Sequence, residues 1–259
     1  MLFSKMNGIG NDYIFFISDL CNKQEFEYLK RNIERLTIRL SNRYFGIGGD
    51  GVVLVEDSKV ADAKMHIFNA DGSEGKMCGN ALRCIGKILS DKRNGTWKSF
   101  QVETASGVRQ IEIINNEGAF AQVKTKMGKP IFIGQESKVE FYNVGNTHGV
   151  FYVDRLDDSA IDCARVVSQK YNVNAEAVCI NDGNVSMRVW ELGSNETMAC
   201  GTGATCVAYS LFKSGKFQDS IIINLKGGTL TAFNEIDGVS IIGDAALNYI
   251  GEVDLRNYG

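Results

Sequence analysis

Proline, histidine and tryptophan are scarce in this chain: Pro130 is the only proline in 259 residues, and there are two histidines, His66 and His148, and two tryptophans. One proline leaves no Pro-rich linker to mark a domain boundary. Two imidazoles, with no CxxC pair beside them, leave a Cys/His metal centre short of ligands, so no metal is expected. Long apolar runs are missing as well. None approaches the ~18 residues needed to span a bilayer, and the start, MLFSKMNGIGND, has neither the charged n-region nor the apolar h-region of a secretory signal. No membrane partner is expected, and the expected location is the cytoplasm. Excess positive charge is also absent: 28 Lys+Arg against 31 Asp+Glu give a formal charge of −3. No basic stripe interleaves with aromatics, so no nucleic-acid partner is expected.

Cysteine, by contrast, is plentiful. Cys21, Cys78, Cys84, Cys163, Cys179, Cys200 and Cys206 form an odd set in a chain long enough to fold without staples. Reduced thiols fit this better than a disulfide framework. With 44% hydrophobic residues, the chain can bury one large core or two of about 130 residues each.

Two stretches of the chain resemble one another. Gly72-Ser73, Met77-Cys78-Gly79-Asn80 and Cys84 are matched by Gly193-Ser194, Met198-Ala199-Cys200-Gly201-Thr202 and Cys206. Each contains CGxxxxC and runs into an apolar pattern at helical spacing: Leu82, Ile85, Ile88 and Leu89, then Val207, Ala208, Leu211 and Phe212. A second pair of landmarks agrees: Gly10-Asn11-Asp12 precedes the run Tyr13–Ile17, and Gly145-Asn146-Thr147-His148 precedes Val150–Val153. Further helices are predicted at Glu25–Leu40 and Ser159–Gln169. Strands are predicted at Gly51–Val55, Ala63–Phe68, Val108–Ile114, Ala119–Lys124, Val185–Trp190, Ser220–Leu225, Thr229–Phe233, Val239–Ile242 and about Tyr249–Leu255. The fold class is α+β, with two pseudo-symmetric domains, 1–117 and 118–247, the first open to completion by residues 248–259.

Cys78 and Cys200 each stand just ahead of a helix. The exposed N–H groups and dipole of a helix N-terminus stabilise a thiolate, so such a cysteine can serve as a base. The same N–H groups, at Gly79-Asn80 and Gly201-Thr202, can hold a carboxylate, with glycine allowing close approach. A carboxylate so held would leave its neighbouring carbon between two sulfurs, one taking a proton and the other returning one. Cys84 and Cys206 lie inside the helical patterns and are expected to pack as small hydrophobes. Gly46-Ile47-Gly48-Gly49-Asp50-Gly51 lacks the Lys-Ser/Thr of a P-loop and reads as a tight turn.

Taken together, Lys5–Asp12, Gly46–Gly51, Phe68–Glu74, Met77–Asn80, Gly145–His148, Arg188–Glu191 and Glu196–Gly203 resemble the diaminopimelate epimerase family over nearly the whole chain. The resemblance implies a two-domain fold with its site in the interdomain cleft, an amino-acid substrate, no pyridoxal phosphate or other cofactor, and a homodimer. It implies that Cys78 and Cys200 are the acid/base pair and that Gly79, Asn80, Gly201 and Thr202 clamp the carboxylate. Asn11 and Glu191 would lie near the amine, His148 and Glu191 would tune the thiols, and Asn69, Asn146 and Asn174 would bind the distal end of the substrate.

One motif departs from the family. Its pattern Tyr-Glu-Arg-Gly, whose arginine pairs with a distal carboxylate, is here Trp190-Glu191-Leu192-Gly193. A buried carboxylate deprived of its partner costs about 3–5 kcal/mol, or roughly two to three and a half orders of magnitude in affinity. The expectation is therefore a racemase for an amino acid without that carboxylate, with histidine first because the fold's relatives include histidine racemases. An imidazole could pack on Leu192 and bond to the three asparagines. Diaminopimelate itself, and a non-catalytic amino-acid-binding module, are the alternatives. A glutamate-based isomerase of the phenazine-biosynthesis type is disfavoured by the intact cysteine pair.

Overall fold

The computed structural model describes residues 1–258, which divide into two compact units: Met1–Gly8, Asp12–Val123 and 244–258 in one, Ile9–Asn11 and Lys124–Gly243 in the other. The first contains β1 (Leu2–Gly8), β2 (Asn11–Ile17), α1 (Lys23–Arg31), α2 (Ile33–Ser41), β3 (Gly51–Glu56), β4 (Ala63–Asn69), β5 (Glu74–Gly75), α3 (Gly79–Lys92), β6 (Ser99–Thr104) and β7 (Gly107–Glu117). β2 and β3 pair in parallel from Tyr13 opposite Gly51 to Ile17 opposite Val55. β4 runs antiparallel to β3 and parallel to β6. Parallel strands covered on both faces call for continuous apolar runs and not alternation. That is why Ile14-Phe15-Phe16 and Val52-Val53 are all fully buried. Phe15 and Val53 meet Leu82 and Ile85 of α3 on one face, while Ile14, Phe16 and Val52 meet Leu29, Leu36 and Leu40 of α1 and α2 on the other.

The chain passes between units within β8 (Phe120–Gly128) and within β17 (Gly238–Glu252). The second unit adds β9 (Ile131–Glu136), β10 (Val139–Asn143), β11 (Thr147–Tyr152), α4 (Asp158–Tyr171), β12 (Asn174–Asn181), β13 (Asn184–Glu191), β14 (Asn195–Thr197), α5 (Gly201–Lys213), β15 (Ser220–Leu225) and β16 (Gly228–Glu235). Its pairing repeats the first unit's: β11 parallel to β12, β13 antiparallel to β12, β13 parallel to β15 and β15 antiparallel to β16. In both units a short strand, β5 or β14, leads into the helix that begins just after a cysteine. Among the described residues, no helix is long and apolar enough to cross a membrane.

Three expectations need correction. The helix predicted over Glu25–Leu40 is two, because Asn32 leaves helical geometry (φ −119°, ψ 21°) while its side chain donates to Tyr28 O at 2.9 Å, a local bond that competes with the helix ladder. The sequence predicts separate strands at Val239–Ile242 and about Tyr249–Leu255, but β17 runs unbroken from Gly238 to Glu252. The units exchange chain after Val123 and before Asp244 rather than at 117/118 and 247/248, and Ile9–Asn11 group with the second. A boundary inside a strand leaves no turn residues to mark it.

The glycine-rich loop is a pinned turn. Gly46 N donates to Asn42 O at 2.9 Å, Gly48 N to Leu40 O at 2.9 Å and Gly49 N to Ser41 O at 3.1 Å. Asp12 anchors the loop's end, 2.5 Å from Lys5 Nζ and 2.6 Å from Arg43 Nη2. Burial opposes ionisation of Asp12, but the bonds and charges of Arg43 and Lys5 outweigh it and hold the carboxyl below its ordinary value. A Cβ on Gly46 would lie 2.3 Å from Arg39 O and 2.6 Å from Leu40 O. Gly46→Ala is therefore expected to cost about 3 kcal/mol of stability, read as a lower urea midpoint.

Candidate active site

Each of the two cysteines is the N-cap of a helix. Cys78 precedes α3 with extended backbone (φ −139°, ψ 119°) and its sulfur accepts from Ala81 N at 3.5 Å. Cys200 precedes α5 in nearly the same conformation (φ −128°, ψ 108°), its sulfur accepting from Gly203 N at 3.4 Å. An N-cap side chain takes up one of the four N–H groups that a helix start leaves unpaired. The sulfurs thus do what serine or aspartate does elsewhere, which places both thiols at the positive end of a helix. Gly79, Asn80, Gly201 and Thr202 form the first turns, with N–H groups suited to a carboxylate.

The surroundings of the two sulfurs differ. Cys78 is half-buried, with its thiol 3.6 Å from Tyr13 Oη. Beneath it lies Arg83, fully buried, whose guanidinium donates to Gly79 O at 3.4 Å, Asn80 Oδ1 at 2.6 Å and Asp244 O at 3.2 Å. Cys200 is buried and sits 3.3 Å from Thr202 Oγ1. Burial pushes its thiol well above the ordinary value, the charges of Glu191 and Glu176 push the same way, and the bonds from Thr202 and Gly203 only partly offset them. Burial also raises Glu191, against hydrogen bonds from Thr197 and Cys200.

His148, on β11, has no exposed surface. Its Nδ1 lies 2.7 Å from Glu176 Oε1 and its Nε2 2.9 Å from Asn146 Oδ1. Glu176 escapes the reading of the sequence, although a signal was present: a lone glutamate interrupts the apolar run Ala175–Cys179, and a charge there must be paired. His148, Glu176 and Cys200 offer ligand atoms within 4.8 Å of one another. The 2.7 Å separation of Nδ1 and Oε1 suits a shared proton; two ligands on one tetrahedral zinc would stand roughly 3.3 Å apart.

In the second unit the structure thus brings together Cys200, Glu191, His148 and Asn146, and adds Glu176. Asn174 Oδ1 accepts from Leu192 N at 2.9 Å, tying β12 to the end of β13, while Leu192 itself is 42% exposed. In the first unit Cys78, Gly79 and Asn80 share one helix start. Asn69 ends β4 and donates to Ser73 Oγ at 3.0 Å, within its own turn. Asn11 is buried and groups with the second unit. Cys84 and Cys206 are fully buried, and burial lifts the Cys84 thiol to about 12, in keeping with a packing role.

A family model described as diaminopimelate epimerase matches residues 3–133 and 141–247. The diaminopimelate epimerase of Methanococcus maripaludis is 36% identical over 284 residues, covering 98% of this chain and 100% of that protein. That of Acetivibrio thermocellus is 36% identical over 285 residues, covering 99% of each. Among solved structures, a probable proline racemase from Agrobacterium radiobacter has a TM-score of 0.73 at 16% identity, covering 98% of this chain and 93% of that one. A Bacillus anthracis phenazine biosynthesis protein has a TM-score of 0.69 at 18% identity, covering 98% and 99%. At such identities these neighbours share the fold.

Removing the negative charge of Glu191 lowers the barrier to ionising Cys200, so more thiolate exists at any given pH. Glu191→Gln is expected to speed alkylation of Cys200 by iodoacetamide about threefold or more at a fixed neutral pH, the gain in thiolate being partly offset by its lower nucleophilicity. Peptide mass mapping separates this sulfur from the other six.

Proposed function

The chain belongs to the diaminopimelate epimerase family, and on that premise we propose that it inverts an α-carbon of diaminopimelate with Cys78 and Cys200 as its acid/base pair. The activity class is that of a cofactor-independent epimerase or racemase, an isomerase. The observation that carries the mechanism is the repeated N-cap cysteine: two thiols, each at the start of a buried helix, in units of the same topology.

In this reading one sulfur, as thiolate, takes the α-proton while the other, as thiol, gives one, so inversion needs both. The N–H groups of Gly79, Asn80, Gly201 and Thr202 hold the α-carboxylate and stabilise the negative charge that develops beside it. Asn11 and Glu191 receive the amine. Neither sulfur can be replaced by alanine without losing one direction of proton transfer.

Histidine, the first expectation for the substrate, loses ground to diaminopimelate. Relatives at 31–36% identity along 98% of the chain are diaminopimelate epimerases, and this favours the same substrate here. One observation still supports a second reading, a racemase for an amino acid without a distal carboxylate. Leu192 offers no donor where the family pattern has arginine, and Arg188 and Lys226 are both engaged with Glu196, at 2.7 and 3.1 Å.

α-Proton exchange in D₂O under reducing conditions tests both. Exchange is expected with LL- or meso-diaminopimelate, and a fall of at least about a thousandfold in epimerisation is expected in Cys78→Ala and Cys200→Ala. Exchange with L-histidine alone would overturn the diaminopimelate reading in favour of the second. No loss in either cysteine variant would overturn the mechanism.

A further inference from the structure

Glu176 is given no role in the proton transfer proposed above, yet it is an expensive residue to place. Its strand neighbours Ala175 and Ala177 are fully buried, as is Glu176 itself. Its Oε2 has no hydrogen-bond partner among the described residues. A carboxylate in such a place costs several kcal/mol unless something holds it. What holds it is specific. β11 and β12 pair in parallel with His148 opposite Asn174, so Glu176, two residues on, shares the face of the sheet that carries the imidazole. Its Oε1 meets Nδ1 at 2.7 Å. On the other side it lies against the first turn of α5, where a Cβ on Gly203 would stand 2.5 Å from the same oxygen. The glycine of Cys200-Gly201-Thr202-Gly203 is thereby accounted for: any side chain there would displace the carboxylate.

Both ring nitrogens of His148 face oxygen, Oε1 of Glu176 and Oδ1 of Asn146. A ring nitrogen facing a carboxylate donates its proton to it, which fixes ring orientation and proton position together. The ring, the carboxylate and the Cys200 sulfur lie within 4.8 Å of one another. We propose that Glu176 is a positioning residue: it accepts the Nδ1 proton of His148 and locks the imidazole beside Cys200, between β11 and the first turn of α5. The catalytic consequence rests on the two-cysteine reading; the orientation of the ring does not.

Two histidines in the chain make the test clean, because long-range ¹H–¹⁵N spectra of the labelled full-length protein contain only His66 and His148. Wild type is expected to show a low-field, slowly exchanging Nδ1 proton on His148. Glu176→Gln keeps an oxygen acceptor but a weaker one, so the resonance is expected upfield and faster to exchange. Glu176→Leu removes the acceptor, and the signal is expected to vanish. In turnover, kcat is expected to fall about tenfold or more in Glu176→Leu and less in Glu176→Gln, with KM changed by less than about threefold. An Nδ1 resonance unchanged in Glu176→Gln overturns the proposal even if Glu176→Leu does not fold. A resonance that shifts as expected while wild type exchanges no α-proton would uphold the placement of the ring and remove the function proposed above. A kcat unchanged in either variant, with the Nδ1 signal altered, would overturn the positioning role.

Discussion

A sulfur accepting an N–H at the start of a helix is the interaction on which the rest of this protein is arranged. At Cys78 and at Cys200 the thiol satisfies a donor that would otherwise go unpaired, and in doing so it is held at the positive end of the helix. The residues that follow must then be small or polar so that the first turn can approach an anion, as Gly79-Asn80 and Gly201-Thr202 are. The sheets behind the helices serve this placement. Their central strands are apolar on both faces, so α3 and α5 sink into their units and carry the caps with them.

Equal geometry does not mean equal electrostatics. Five residues after Cys78 stands Arg83, a buried guanidinium; five after Cys200 stands Thr205, whose hydroxyl merely bonds back to Gly201 O at 2.7 Å. Around Cys200 stand Glu191, Glu176 and His148 instead. Burial and the neighbouring carboxylates disfavour the charged form of Cys200, whereas the charged group near Cys78 is the guanidinium of Arg83. The duplicated frame thus supplies two copies of one device, and residues at the variable positions of the motif, with others outside it, make them chemically distinct.

The local order of the chain was readable because its causes are local. Continuous apolar runs at Tyr13–Ile17 and Gly51–Val55 mark strands covered on both faces, and the CGxxxxC repeats mark two helix starts, since capping and periodicity act over a few residues. The substrate end was read less well: the lone exchange at Leu192 argued for histidine, whereas similarity spread along the whole chain favours diaminopimelate. One substitution reports on one contact. The break at Asn32 went unseen because a side-chain bond of 2.9 Å to Tyr28 O competes with a helix that the pattern of leucines supports equally well on either side.

By itself, then, the sequence determined the two helix-capping cysteines, the paired frames that carry them and the family to which they belong, all of which follow from spacing and residue type. Only the tertiary structure decided the company each sulfur keeps. Glu176 lies 28 residues from His148 in sequence and 2.7 Å from it in space, and Arg83 closes on Asp244 O from 161 residues away. Such contacts depend on which strands pair and in which register. Local pattern and turn geometry restrict the register of a hairpin, but which distant segments become neighbours is decided by how the whole unit packs, so no local pattern in the chain records it.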